Sequence, residues 1–580
     1  MPLPPKSLFS RKVRLLATAV RQSGAGATTM VGTVLASLCE RAYPGLPASD
    51  LKTSRRLAAL PEVKSFVEML ATAPFLDAAY WLSSAYAICT GDAHRKSLAM
   101  FFTPPSLTSR LLDDLAANGV RFDEGKFCDP ACGGAAFLAP IAMRMKEQLG
   151  AKGLRPRKVL EHVASHIFGT DLDPTLCALS KHFLLMALRD EVLAAKGWTP
   201  EFQVKPGDSL IDLSRSYGSF DVIACNSPFR KMTAAEVERY RPGFEDVIEG
   251  QPNLYGLFMA LSVRLLKDKG VAALVTPTSF LSGQYFRKVR TFLMSHVDVL
   301  NIGMVSDRLG VFIDVEQETA LTLVRRRQQT AAAAATASVS VVATDGHYAN
   351  VGKCNLPNSG AAWPIPRTEG DVTLLGAADL GHATLKDYGY KVRIGNFVWN
   401  RDARPVYRNH ADVLNSKSKT AIPLLWSSDI GADGSLDFSA DPKDRDEHRF
   451  VDFGDERHPS VIRRPSVLMQ RVTSNDQPRR LVAAAVPTAL LATYGGYVGE
   501  NHTVIVEQVS DKPVLSARKL AQLLSSPTVD RYFRCISGAT NVSAFELGQL
   551  ALPDPETLKA LLREGLSMND AVNKAFFKSA

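Results

Sequence analysis

The chain has 580 residues, 46% hydrophobic and 22% charged, with a formal net charge of +9. That is ordinary globular composition, and the length exceeds what a single hydrophobic core serves, so two or three domains are expected. No apolar run approaches the roughly 18 residues of a membrane span, so no membrane partner is expected. The basic excess admits a polyanion such as nucleic acid, and it fits a merely basic globular protein equally well. Eight cysteines are scattered along the chain. Cys128 and Cys132 lack a second pair at ligand spacing, so no zinc or other metal site is expected, and reduced buried thiols fit a cytoplasmic protein. Lys6, Arg11, Lys12 and Arg14 precede only a short apolar stretch, a poor secretory signal.

Residues 1–95 read as helical. Leu15, Val20, Val63, Phe66, Val67 and Leu70 recur at helical spacing, Ala79 to Ile88 forms a second apolar patch, and Pro61 and Pro74 punctuate the region. No chemistry is visible there. Phe101-Phe102-Thr103-Pro104-Pro105 then leads into a capped helix start, a geometry that also receives a carboxylate. Phe127-Cys128-Asp129-Pro130-Ala131-Cys132-Gly133-Gly134-Ala135-Ala136-Phe137 reads as strand, small-residue turn and helix. Its glycines permit close approach of a ligand, but neither the dinucleotide spacing nor the phosphate-loop spacing is present. A nucleoside cofactor without phosphates suits it better.

Ile167 to Pro174 is a second strand, ending in Asp171 and Asp173, where an acid commonly grips ribose hydroxyls. A third segment ends in Asp208. The run Phe220 to Cys225 is a buried strand that stops at Asn226-Ser227-Pro228-Phe229. Pro228 cannot donate to a ladder and biases Ser227 toward extended backbone. Such an exit displays an amide, a main-chain carbonyl and an aromatic face together, and it is also what an ordinary strand end looks like. A helix over 254–267 and a strand over 270–277 follow. A helix over 284–294 leads to Val299-Leu300-Asn301-Ile302, and Val311 to Ile313 with Thr319 to Val324 close the sheet as a hairpin. This alternation specifies a doubly wound parallel α/β sheet with its ligands at the carboxyl ends of the strands. Alanine-rich 330–340 reads as a linker or short helix and as a domain boundary. Beyond it, short β-like runs and late helices near 515–526 and 556–575 describe an α+β region. Arg463, Arg464, Arg471, Arg479 and Arg480 lie there among Trp399, Tyr407, Trp426 and Tyr494, a composition suited to phosphates and bases and also to a solvated basic face.

Taken in order, Phe102-Thr103-Pro104, Asp129 to Gly133, Gly169 to Pro174, Asp208, Asn226 to Phe229, Asn253 to Phe258 and Gly270 to Pro277 resemble the adenine-N6 DNA methyltransferases of the gamma motif order. Within them the likeness is to the Eco57I-like type II restriction–modification branch, in which a target recognition domain follows the catalytic domain. The resemblance covers roughly 95–327 through the motifs themselves. It extends more loosely to Pro423 to Trp426, Gln470 to Thr473, Gly499 to His502 and Ser537 to Val542. It implies an N-terminal helical region (1–95), a Rossmann-like methyltransferase domain (96–330) and a C-terminal α+β DNA target recognition domain (340–580). The implied cofactor is S-adenosylmethionine, the implied substrate double-stranded DNA, and the implied biological partner a separately encoded restriction endonuclease.

By position, the resemblance places Thr103, Asp129, Cys132 and Gly133 around the methionine part of the cofactor and Asp171 on its ribose. Asp208 would accept from the cofactor adenine amino group, with Leu172 as a wall. Asn226 and the carbonyl of Ser227 would accept from the target N6, Pro228 would constrain that carbonyl, and Phe229 would stack on a flipped base. Two positions depart from the pattern. The loop usually reads Cys-Gly-Ser-Gly, whereas here it is Cys132-Gly133-Gly134-Ala135, so a left-handed turn at Ala135 would cost on the order of 1 kcal/mol unless Gly134 takes the bend. Ser227 stands where the family has a first proline. Protein-glutamine or RNA methylation uses similar pockets and is an alternative reading, as is a non-catalytic DNA-binding subunit.

Overall fold

The computed structural model describes residues 6–98, 100–305, 318–328, 336–343, 345, 347–379, 382–440, 448–455, 457–473, 477–537 and 541–577. The chain divides into two compact units. The first comprises Met1–Phe280, Tyr285–Asn350 and Asn358–Gly360, and the second Leu281–Gln284, Val351–Pro357 and Ala361–Ala580.

The first unit opens with helices α1 (Lys6–Ser23), α2 (Ala27–Ala42), α3 (Pro61–Ala71) and α4 (Phe75–Cys89). Pro61 takes the first position of α3, where a missing N–H costs nothing. On α1 the buried stripe is Phe9, Val13, Leu16 and Val20. Leu15, read as part of the stripe from spacing alone, is 56% exposed, because one residue turns the side chain about 100° round the helix. These helices share one continuous hydrophobic core with the sheet, in which Phe66, Leu82 and Tyr86 join Phe127, Leu138, Leu179 and Val222.

The sheet strands are β1 (Phe127–Asp129), β2 (Ile167–Asp171), β3 (Gln203–Pro206), β4 (Phe220–Asn226), β5 (Leu266–Pro277), β6 (Val297–Val305), β7 (Thr319–Arg326) and β8 (Thr336–Val342). They lie in the order β3-β2-β1-β4-β5-β7-β6-β8 within a nine-stranded sheet. From β3 to β5 every pairing is parallel, while β7 inserts antiparallel between β5 and β6. The expected doubly wound α/β sheet is therefore present, with an antiparallel closing strand. Chain order reverses between β1 and β4, and a crevice at the carboxyl ends of the strands is expected at such a switch point. Helices α5 (Pro105–Ala117), α6 (Leu138–Ala151), α7 (Pro174–Ala187), α8 (Ala234–Phe244) and α9 (Leu254–Leu265) supply the crossovers and the rim of that crevice.

Three segments differ from the sequence reading. Helix α9 ends at Leu265 and β5 begins at Leu266, not near Gly270. Leu266 is fully buried and pairs with Phe220 across an irregularity in register, so packing extends the strand past the polar Lys267-Asp268-Lys269. The helix expected over 284–294 is a 3-10 turn, Gln284–Phe286, followed by an α-helix, Arg287–His296. In the alanine-rich segment, Thr336–Val342 is a strand parallel to β6, with Val339 fully buried. Alternation of Val with Ser and Thr there outweighs the helical bias of the alanines before it. Val311 to Ile313 and residues 538–540 lie outside the described residues.

The second unit holds two four-stranded sheets. One runs Tyr390–Ile394, Thr503–Gln508, Ser466–Gln470, Ala483–Ala485 and is antiparallel throughout. The other runs Val406–Tyr407, Phe450–Asp452, Ala421–Leu425, Val498–Gly499. Helices Ala517–Leu524, Pro527–Ile536, Pro555–Arg563 and Met568–Phe577 complete an α+β unit. Arg463, Arg464 and Arg479 are exposed. Arg480 is not part of that basic surface. It is fully buried, its main-chain N–H donates to Asp530 Oδ1 at 2.7 Å, and its Nη2 donates to Ser537 Oγ at 2.8 Å. Neighbouring arginines thus divide between solvent and core, which composition cannot separate.

Candidate active site

The carboxyl ends of β1, β2 and β4 converge on a cavity of about 390 Å³. Eight of the residues singled out from sequence line it: Thr103, Asp129, Cys132, Gly133, Asp171, Asp208, Asn226 and Pro228. Leu172 also lines it and is 53% exposed, an apolar wall. Ser227 and Phe229 are not among the lining residues. Ser227 is buried, and its hydroxyl donates to the Val275 carbonyl on the neighbouring strand at 3.3 Å. Phe229 is half-buried and meets Tyr255 edge-on, with ring centroids 6.3 Å apart and planes at 75°.

The turn after β1 is held from both sides. Cys132 N–H donates to the Thr170 carbonyl at 3.0 Å, and Gly133 N–H donates to Asp171 Oδ2 at 2.9 Å. Gly133 has φ +50° and Ala135 φ +58°. Ala135 therefore does occupy the left-handed region, at a cost of about 1 kcal/mol. Gly134 cannot relieve it, because its role is space. A Cβ there would lie 1.9 Å from Ser83 Oγ and 2.8 Å from Ser83 Cβ, on helix α4.

The acids are unequal. Asp129 is buried at the end of β1, accepts only from Ala131 N–H among its described contacts, at 3.0 Å, and burial pushes its pKa well up, helped by the nearby charge of Asp171. Asp171 is raised from 3.8 to about 6, chiefly by burial and against the donors Asp173 N–H and Gly133 N–H. Two carboxyls that resist ionisation, side by side, suit a ligand that brings hydroxyls and positive charge. Asp208 is already engaged: Leu210 N–H at 3.2 Å, Arg239 at 2.8 Å and the Tyr240 hydroxyl at 2.9 Å all donate to it. A carboxylate offers about four lone-pair sites, so one remains for a ligand.

Asn226 is the most informative side chain. Its Nδ2 donates to the main-chain carbonyl of Phe101 at 2.9 Å. Its Oδ1 is buried and has no hydrogen-bond partner among the described residues. The amide is thereby oriented with its acceptor free for a ligand, and an orphaned buried acceptor calls for a donor such as an amino group. Thr103 Oγ1 is likewise buried and unpartnered among the described residues, on the same cavity.

Sequence reasoning missed the α8 side of the site. Arg230, Glu236, Arg239 and Tyr240 all line the cavity. Arg230 pairs with Glu236 through two hydrogen bonds of 2.9 and 2.5 Å, which holds the Glu236 carboxyl down at about 2. Glu236 also closes a capping box with Thr233. The pattern Thr233-x-x-Glu236 was a readable signal for that helix start. From α9, Leu254 and Phe258 complete the wall. No cluster of three or more metal-ligating side chains exists among the described residues, and no helix among them is long and apolar enough to cross a membrane.

Residues 165–312 match the family described as Eco57I restriction-modification methylase. Over 498 residues the chain is 21% identical to the Type II methyltransferase M.BsuBI of Bacillus subtilis, covering 81% of this chain and 90% of that protein. It is 24% identical over 353 residues to the Type II methyltransferase M.PstI of Providencia stuartii, covering 58% of this chain and 66% of that one. Among solved structures, the Type IIL restriction-modification enzyme MmeI in complex with DNA shares the fold at a TM-score of 0.52 and 12% identity, covering 97% of this chain and 87% of that chain. The matched segment, which carries Asp171, Asp208 and the strand end at Asn226, is what the chain shares with the Eco57I restriction-modification methylases.

Proposed function

We propose that this DNA methyltransferase transfers a methyl group from S-adenosylmethionine to the N6 amino group of adenine in duplex DNA, as the modification enzyme of a restriction–modification system. The observation that carries the reading is the orientation of Asn226, whose Oδ1 stands buried and unpartnered among the described residues while Nδ2 is tied to Phe101. An acceptor fixed in this way selects a hydrogen-bond donor at the reacting position.

The residues present fit the cofactor. Thr103 Oγ1 is an orphaned buried group, Gly133 lines the cavity without a side chain, and Asp129 and Asp171 match a positively charged ligand bearing ribose hydroxyls. Thr103, Asp129, Cys132 and Gly133 would hold its amino-acid end, Asp171 its ribose, and Asp208 and Leu172 its adenine. When bound, S-adenosylmethionine supplies an electrophilic methyl on a sulfonium. The chain's part is to prepare the nucleophile. Adenine N6 is a weak nucleophile because its lone pair is delocalised into the ring. Accepting hydrogen bonds from its two N–H groups at Asn226 Oδ1 and the Ser227 carbonyl would favour a pyramidal nitrogen with a localised lone pair, and the methylated nitrogen would shed one of those protons to solvent. Ser227 can serve where the family has proline because the acceptor is main-chain. Its own hydroxyl is turned away to Val275 and takes no part. Rate then comes from positioning and preorganised dipoles.

The base must leave the duplex, at a cost of a few kcal/mol, and stacking on Phe229, worth about 1–3 kcal/mol, offsets part of it. The edge-on contact with Tyr255 braces that ring. Residues 340–580 would then serve target recognition, the exposed Arg463, Arg464 and Arg479 meeting phosphates. An enzyme that marks chromosomal DNA works in the cytoplasm, paired with a separately encoded endonuclease that cuts the same sequence when it is unmethylated. Mapping methylated bases in DNA from cells expressing the chain tests the reading. N6-methyladenine at one recurring sequence is expected, and N4-methylcytosine or no DNA methylation would overturn it.

A further inference from the structure

Helix α4 reaches both cofactor loops from behind. The Tyr86 hydroxyl donates to Asp173 Oδ2 at 2.8 Å, and both side chains are buried. Asp173 Oδ1 accepts from Thr175 N–H at 2.7 Å and Leu176 N–H at 3.3 Å, capping α7. Asp173 N–H in turn donates to Asp171 Oδ1 at 2.9 Å, and Asp171 Oδ2 accepts from Gly133. A chain of hydrogen bonds thus runs from a residue in the N-terminal helices to the acid in the cavity. One turn earlier on the same face of α4, Ser83 presses on Gly134 so closely that no Cβ fits. Helix α2 adds a contact of Thr28 Oγ1 with Thr175 Oγ1 at 3.1 Å.

We propose that Tyr86 is a positioning residue for the cofactor: acting through Asp173, it sets the place of Asp171, while the Ser83–Gly134 contact sets the turn that carries Gly133. The inference rests on the assignment of this cavity to S-adenosylmethionine. Its physical basis is the cost of an unmatched buried charge. Without the tyrosine hydroxyl, Asp173 Oδ2 is an anionic oxygen with no donor in a dry place, and it regains one only by rotating, which disturbs the cap of α7 and the N–H that holds Asp171. Burial pushes the Tyr86 hydroxyl up to about 12, so it stays protonated and remains a donor at working pH. The N-terminal helices are then part of the cofactor site and not only a cover for the sheet.

The test uses the full chain. Tyr86→Phe is expected to bind S-adenosylhomocysteine about tenfold more weakly by calorimetry, the order set by losing one hydrogen bond to a charged group. In methyl transfer, KM for S-adenosylmethionine should rise by a similar factor, with KM for DNA unchanged and kcat lowered less than twofold. Asp171→Ala is the control. If it binds cofactor normally, the cavity assignment falls. If it loses binding while Tyr86→Phe binds as wild type, or if Tyr86→Phe shifts cofactor and DNA constants alike, the positioning role is overturned. A second route does not depend on how Tyr86→Phe folds. Gly134→Ala should weaken cofactor binding and Ser83→Gly in the same chain should restore it, whereas failure of that rescue counts against the helix contact.

Discussion

Asp171→Asn separates what the cavity asks of this side chain from what the fold asks of it. Its pKa moves from 3.8 to about 6 on folding. A carboxyl raised in the folded state adds stability that is complete below the unfolded value and lost as pH rises through the folded one. With these two values, linkage gives the wild-type fold about 1.4 kcal/mol more stability at about pH 5 than at about pH 7.5 from this group alone. Asparagine cannot titrate and forfeits that increment. It also sets an amide N–H2 against one of the two donors, Gly133 N–H or Asp173 N–H, but that penalty is the same at both pH values. The quantity to measure is therefore the difference in unfolding free energy between variant and wild type at the two pH values, without cofactor. It should change by about 1.4 kcal/mol, the variant faring better at the higher pH. Cofactor affinity should run the other way. On the proposed function the ionised carboxylate would accept the ribose hydroxyls, so wild-type binding should weaken as pH falls through about 6, and the variant should bind poorly throughout. An equal stability difference at both pH values would refute the placement of a buried, reluctant carboxylate at the end of β2.

Asn226→Ala should lower methyl transfer by about 10²–10³-fold, the scale for removing one preorganised polar group, while S-adenosylhomocysteine binding stays close to wild type. Normal transfer by this variant to an adenine-containing duplex would remove Asn226 from the chemistry. Arg480→Ala should cost about 1–3 kcal/mol of stability, because it removes the buried side-chain bond to Ser537 Oγ while the main-chain bond to Asp530 stays. Denaturation midpoints check this, and a variant of native stability with weakened DNA binding would return Arg480 to the DNA surface. Binding to a cognate duplex should fall steeply from about 50 to 200 mM salt as phosphates are neutralised. A flat profile in filter-binding or anisotropy titrations would deny the exposed Arg463, Arg464 and Arg479 a role in gripping DNA.

The catalytic sheet was readable because each motif couples a run of buried residues to a polar residue where the run stops. Strand β4 ends at Asn226 and β2 at Asp171, and both ends meet at the cavity. What escaped was everything whose partner is distant in the chain. Tyr86 and Asp173 are 87 residues apart, and Asn226 and Phe101 are 125 apart. No local pattern announces such contacts, and Tyr86 reads as one more apolar helix residue. The departure at Ala135 was legible in kind but not in cause. Its left-handed φ could be anticipated from the family pattern, whereas the reason Gly134 is bare required seeing Ser83 against it. Arg479 and Arg480 are indistinguishable as a pair in sequence and opposite in burial, since burial is settled by Asp530 on a helix some 50 residues later.

The hydrogen bond from Asn226 Nδ2 to the Phe101 carbonyl has a bearing on how such a site drifts over generations. The anchor is a peptide oxygen, so it survives almost any side chain at position 101. A comparison of natural variants would register whatever the Phe101 ring contributes to the cavity wall and not the carbonyl behind it. Its contribution would surface only when the path of the backbone is altered, by an insertion, a deletion or a proline nearby. The main-chain path just before Thr103 should therefore resist changes of length, a constraint that a library varying only side chains would not detect.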